Sequence, residues 1–223
     1  MSLVILQYEV GLLQNFNELI ADPRSGECAV VDPAFEVDRL LAEAKARGFR
    51  ITTVLLTHTH PDHVEGLEEL CAATAAVVRV GVGEADSARR HAPSARLVPI
   101  VDGETVRLGE QTITALSTPG HTAAGTSYWT AGAVITGDTL FVGGVGRTDF
   151  PGGDPATLFH SLQKLAALPE ETRVFPGHDY GATPTSTIAW ERATNPYLRC
   201  ATAEDFIALR TGRHPPRPQR GVR

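Results

Sequence analysis

Three histidines and an aspartate stand within six residues in the stretch THTHPDHVEG, Thr57–Gly66: His58, His60, Asp62 and His63. Imidazole nitrogens and carboxylate oxygens are the ordinary protein ligands of zinc and of non-haem iron. His58 and His60, two positions apart in a short loop, can reach one ion. Asp62 and His63 then point elsewhere, and a second ion close by would use them. A bridging carboxylate would lower the repulsion between two such cations. Two more histidines lie in glycine-marked loops, His121 in TPGHT and His178 in FPGHDY, and Asp138 lies in ITGDTLF. A single His-x-His arises readily by chance, and a lone histidine is more often a hydrogen-bonded structural residue. Three separate loops that each set histidine in such a turn point to a metal site.

The elements around these loops explain how they could meet. ITTVLLT, Ile51–Thr57, is apolar and rich in β-branched residues, as a buried strand is. The histidine motif follows at its C-terminal end. Strands are likewise expected just before His121 (QTITALST), Asp138 (AVITG) and His178 (RVFPG). Residues at strand ends can converge on one edge of a sheet, where sites are commonly built. LVILQYEV reads as a strand, and FNELIADPRSGECAVVD as two strands joined by a DPRSG turn. Asp32-Pro33 is expected to open a helix with Val37, Leu40, Leu41 and Ala44 on one face. VEGLEELCAAT reads as one helix, as does DPATLFHSLQKLAAL, with Asp154 as its N-cap and Pro155 at its first position. TSTIAWERAT and TAEDFIALR read as helices near the end. The expected architecture is α/β: two mixed β-sheets packed face to face with helices outside, as a single domain over residues 1–210. The basic Pro/Arg-rich end, 211–223, is expected to be a solvated, disordered tail.

Composition narrows the partners. The chain has 223 residues and a formal net charge of −6, which argues against nucleic-acid binding. The apolar run near the N-terminus is broken by Gln7 and Glu9, so neither a signal peptide nor a membrane span is expected. Three cysteines, Cys28, Cys71 and Cys200, are odd in number and far apart, which fits a reducing, cytoplasmic setting. The sequence leaves a homodimer open.

THTHPDH resembles the HxHxDH signature of the metallo-β-lactamase superfamily. TPGHT, TGDTLF and FPGHDY resemble that superfamily's remaining ligand motifs, in the right order between Asp32 and Tyr180. The resemblance implies an αβ/βα sandwich. It also implies one metal held by His58, His60 and His121, a second held by Asp62, His63 and His178, and Asp138 between them. In hydrolases of this type the two divalent ions, zinc first and iron second, lower the pKa of a shared water. The resulting hydroxide attacks a carbonyl, with Asp62 orienting or deprotonating the water.

Two families within the superfamily come close. Glyoxalase II hydrolyses glutathione thioesters at a two-metal centre, and the persulfide dioxygenases oxidise glutathione persulfide at one iron(II). VGRTDF, Val145–Phe150, resembles the dioxygenases, as does HDYG, His178–Gly181. In them this pattern implies that Arg147 and Tyr180 hold glutathione and that His58, His121 and Asp138 hold the iron. PGH at Pro176–His178 resembles compact glyoxalase II-like hydrolases instead, since the dioxygenases more often show PAH, and a cysteine commonly stands there in place of Val145. The reading adopted is a hydrolase of glutathione thioesters, with the dioxygenase as its alternative. The complete set of ligand residues argues against a non-catalytic binding module. Arg147 could instead pair with Asp149 as a structural ion pair, and Tyr180 could simply pack.

Overall fold

Alternation along the strands sorts the interior into three layers. The computed structural model of the chain describes residues 3–212. One six-stranded sheet has the order β1 (Val4–Val10), β2 (Asn15–Asp22), β3 (Glu27–Val31), β4 (Arg50–Leu56), β5 (Val77–Gly81) and β6 (Arg96–Ile100). Its first three strands run antiparallel and the β3–β6 pairs parallel. In β2–β4, Ile20, Ala29, Val31 and Leu55 face one way, and Leu19, Ala21, Cys28, Val30, Val54 and Leu56 the other. A period of two with both faces apolar requires cover on both sides.

The second sheet supplies the inner cover. It joins β7 (Thr105–Leu108), β8 (Gln111–Ser117), β9 (Thr126–Thr130), β10 (Ala133–Gly137), β13 (Arg173–Pro176) and β14 (Ser186–Thr187), and β11 (Leu140–Phe141) and β12 (Gly144–Val145) form a small hairpin beside it. Leu108, Ile113, Ala115, Tyr128, Ile135 and Phe175 meet the first sheet's inner face. Helices cover the outside. On the first sheet lie α1 (Val37–Ala46), α3 (Leu67–Thr74), which follows the single-turn α2 (Pro61–Val64), and α4 (Ala85–His91). On the second lie α5 (Pro155–Ala166), α6 (Ile188–Thr194) and α7 (Ala203–Thr211). This is the expected sandwich of two mixed sheets with helices outside.

Local expectations hold with four differences. Asp154 caps α5 as expected, accepting from the Thr157 N–H at 2.6 Å. Asp32 does not open α1, which begins at Val37; Asp32 has a left-handed φ of 44° and turns its carboxylate inward. The helix after the histidine motif is split at Gly66, whose N–H bonds the Pro33 and Ala34 carbonyls at 2.9 Å in place of a helical partner; a side chain there would strike Val37 and the Pro33 carbonyl. Strand β6 escapes the sequence pattern because Pro99 interrupts it, and it is tolerated because β6 is an edge strand. Helix α7 runs one residue into the stretch assigned to the tail, and positions 213–223 of that stretch lie outside the described residues. Among the described residues no helix is long and apolar enough to cross a membrane.

One hydroxyl ties the two sheets together just before the histidine motif. The Tyr128 side chain is fully buried, and its O–H lies 2.9 Å from the Leu56 carbonyl and 3.2 Å from that of Arg79. Tyr128→Phe keeps the packing and removes this link. It is expected to lower unfolding free energy by about 1–2 kcal/mol, read as a lower urea midpoint at unchanged slope.

Candidate metal centre

The four loops meet where the C-terminal ends of β4, β8, β10 and β13 converge. His58, His60, Asp62 and His63 follow β4; His121 follows β8, Asp138 follows β10 and His178 follows β13. The two sheets are stitched here by backbone bonds, Thr126 N–H to the Thr57 carbonyl and Phe16 N–H to the Gly177 carbonyl, both 2.8 Å. The structure therefore brings together all seven residues of ligand type. His91 on α4 and His160 on α5 stand apart from them.

Hydrogen bonds fix which ring nitrogen faces the centre. His121 Nδ1 lies 2.7 Å from the Arg147 carbonyl, and His178 Nδ1 2.8 Å from the Leu13 carbonyl. His63 Nδ1 lies 3.1 Å from Asp32 Oδ2. These partners only accept, so each Nδ1 carries the proton. His58 Nδ1 is 3.0 Å from Thr57 Oγ1, whose own proton goes to Asp32 Oδ2 at 2.5 Å, so here too Nδ1 donates. In the neutral rings, four Nε2 lone pairs then face inward.

They face one another at close range. His63 Nε2 and His178 Nε2 are 3.1 Å apart; His60 Nδ1 is 3.1 Å from His58 Nε2 and 3.0 Å from His121 Nε2. Asp138 lies between these groups, with Oδ1 3.4 Å from His63 Nε2 and Oδ2 3.4 and 3.5 Å from His121 and His178 Nε2. Asp138 Oδ1 is buried with no hydrogen-bond partner. Asp62 Oδ2 reaches His178 Nε2 at 3.5 Å and is held by Asn15 Nδ2 at 2.9 Å. Lone pairs and carboxylates packed this way repel unless a cation stands among them. The donor set is that of zinc or non-haem iron, so the residues fit a metal. Three groups have donor atoms all within 4.8 Å of one another: His58, His60 and His121; Asp62, His63 and His178; and Asp32 with His58 and His63, the two rings it positions.

The electrostatics divide the rings: burial favours the neutral form at His58 and His60, and the carboxylates favour a proton at His63. Burial, and then the neighbouring imidazoles, push His58 and His60 below the usual histidine range. Burial also opposes a charge on His63, but the Asp138 and Asp32 carboxylates outweigh it and raise its pKa well above that range. Asp138 is held well below the carboxylate range, since His63 and His178 overcome its burial.

Arg147 and Tyr180 both line the cavity of about 260 Å³ over this centre. The Arg147 guanidinium makes a two-pronged pair with Asp149, 2.8 Å at each contact, and lies 4.3 Å over the Phe150 ring. The Tyr180 ring stacks on His178, 4.6 Å between centroids and 10° from parallel. Sequence reading missed Asp32 and Asn15, which hold His63 and Asp62 from 31 and 47 positions away, and Thr57, which holds its neighbour His58. No spacing announces them; the one local hint is the Asp-Pro pair, which reads as a helix start.

Asp32 Oδ2 holds one histidine of each group, His63 directly and His58 through Thr57. Asp32→Asn turns that shared acceptor into a weaker one or a competing donor. Metal affinity is expected to fall about 10–100-fold, measured by chelator competition, with circular dichroism confirming that the fold persists.

Comparison with known proteins agrees with this architecture. The profile of the Metallo-beta-lactamase superfamily matches residues 18–178. A hydroxyacylglutathione hydrolase from Rhodospirillum rubrum is 39% identical over 210 residues, covering 93% of this chain and 78% of its own. The crystal structure of ETHE1 from Myxococcus xanthus superposes with a TM-score of 0.86 at 35% identity, over 96% of this chain and 93% of that one. TTHA1623 in a di-iron-bound form gives a TM-score of 0.74 at 33% identity, over 86% and 100%. The chain spans about half the length (52%) of a larger relative, a beta-lactamase hydrolase-like protein from Agrobacterium fabrum, 31% identical over 87% of this chain. With the sandwich, the converging donors and these relatives in hand, the chain belongs to the metallo-beta-lactamase superfamily, as an enzyme of its glyoxalase II-like and ETHE1-like branch.

Proposed function

We propose that the protein hydrolyses glutathione thioesters at a two-metal centre. His58, His60 and His121 would hold one divalent ion, Asp62, His63 and His178 the other, and Asp138 would lie between them. Zinc and iron both suit this set. Bound there, the ions supply Lewis acidity and a more acidic water. Asp62, held by Asn15 Nδ2 at 2.9 Å, would orient that water and take its proton. The water oxygen would add to the acyl carbon, the carbon–sulfur bond would break, and the proton taken by Asp62 would pass to the departing thiolate. Arg147 at the rim suits a glutathione carboxylate, and Tyr180 flanks the same cavity.

The observation that carries the two-ion reading is the space left by Gly177. A Cβ at this position would stand 2.5 Å from Asp138 Oδ1 and 2.9 Å from His63 Cε1. The backbone cannot yield, because Gly177 N–H is bonded to the Gly137 carbonyl at 2.9 Å. The glycine of PGH thus lets Asp138 and His63 stand close enough to serve one centre, whereas the alanine of PAH would press on both. The likeness to ETHE1, together with the GRTDF stretch, favours a second reading, persulfide oxidation with iron(II) at His58, His121 and Asp138.

Two variants separate the readings. His63→Ala is expected to leave one ion per chain in place of two and to lower acyl-glutathione hydrolysis by more than about a hundredfold. Elemental analysis and thioester cleavage check this. Gly177→Ala is expected to lose the same ion while retaining the group around His58. The hydrolase reading fails if folded, metal-replete protein cleaves no acyl-glutathione. Oxygen uptake with glutathione persulfide by the iron(II) form, unchanged in His63→Ala, establishes the rival.

A further inference from the structure

The turn between β1 and β2 ends in two leucines where turns ordinarily carry polar residues or glycine. Leu12 is fully exposed and Leu13 is 55% exposed. Gly11 and Gln14, at φ of 67° and 56°, make the turn on either side of them. The tip is anchored to the loop that carries His178. The Leu13 carbonyl accepts from His178 Nδ1 and the Gln14 carbonyl from Asp179 N–H, both at 2.8 Å. These apolar side chains are therefore held at a fixed place beside the centre.

Leu13 lines the cavity over the centre, with Leu12 beside it in solvent, and that cavity has two unlike flanks. On the His178 side stand Leu13, Phe141 and Tyr180, the two rings 5.9 and 4.6 Å from the imidazole. On the His60 side stands Phe150, 5.1 Å from that imidazole, with the Arg147 guanidinium 4.3 Å over its ring. A thioester of glutathione also has two unlike arms, a thiol arm bearing carboxylates and an acyl arm without charge. The flank that carries Arg147 matches the first, where a substrate carboxylate would take the place of Asp149 on the guanidinium, and the aliphatic–aromatic flank matches the second.

We infer that the Leu12–Leu13 tip recognises the acyl group, and that the preferred substrates carry an aliphatic acyl chain of several carbons in place of a small hydroxyacyl group. This rests on the hydrolase reading. The leucines gain by covering such a chain, because each methylene taken from water adds binding.

The test is a series of S-acyl glutathiones, acetyl, butanoyl, hexanoyl and octanoyl, with lactoyl beside them, hydrolysed by the metal-replete protein. In the parent, kcat/KM is expected to rise roughly two- to fourfold per methylene until the chain outgrows the tip, with the change mainly in KM. In Leu12→Ser/Leu13→Ser the hexanoyl-to-acetyl ratio is expected to fall toward one. Bound metal per chain should stay unchanged, because His178 is held by the backbone carbonyl of Leu13 and not by its side chain. A flat series in the parent, or a slope that survives in the double variant, overturns the inference while leaving the hydrolase reading intact. Absence of cleavage across the whole series overturns both.

Discussion

Lone pairs turned toward one another in a buried place are costly to hold, and the centre depends on how this chain holds them. Each inward Nε2 is fixed from behind by a bond at Nδ1; three of those bonds end on acceptors that cannot donate back, and the fourth, from His58, ends on the Thr57 hydroxyl, whose own proton is given to Asp32. Two of the acceptors are main-chain carbonyls, at Leu13 and Arg147, and a third is the Asp32 carboxylate. The rings cannot turn away from the repulsion without breaking these bonds. The free energy for the arrangement is therefore supplied by the scaffold, and it is recovered when a cation enters.

That requirement explains why two sheets are involved. The donors after β4 come from one sheet, and those after β8, β10 and β13 from the other. The layers must be locked in relative position to about the tolerance of a coordination bond. The packed interface around Tyr128, Phe175, Ile20 and Leu55 and the strand-to-strand bonds at Thr57 and Gly177 provide the lock. The outer helices contribute to the layers behind the sheets. Arg210 of α7 also reaches the loop above the centre, where its Nε bonds the Gly146 carbonyl at 3.0 Å.

Much of this was legible in the sequence. The ligand-type residues announce themselves because histidine and aspartate are rarely clustered without a reason, and the strands because a period of two is a local signal. What stayed hidden depends on contacts between distant segments. Asp32 reads as a helix start because Asp-Pro is a good one, yet its left-handed backbone sends the carboxylate to residues 25 and 31 positions away. Asn15 looks like any strand residue until Asp62 is placed beside it. Strand β6 is obscured by Pro99, whose missing N–H matters little at a sheet edge. The motif glycine at 177 is visible as a letter, but its steric purpose appears only once Asp138 and His63 stand against it.

The carbonyl of Leu13 has a consequence for redesign. Loop grafting usually treats a surface turn as an exchangeable part whose residues and length can both be altered. Here the turn is free in its side chains and constrained in its main chain, since that carbonyl sets the tautomer of a histidine 165 positions away. Libraries that vary the identity of residues 12 and 13 can search widely without touching the centre. Insertions or deletions at the same place would shift an oxygen that the centre relies on, and would show up as lost metal before any change in selectivity could be seen.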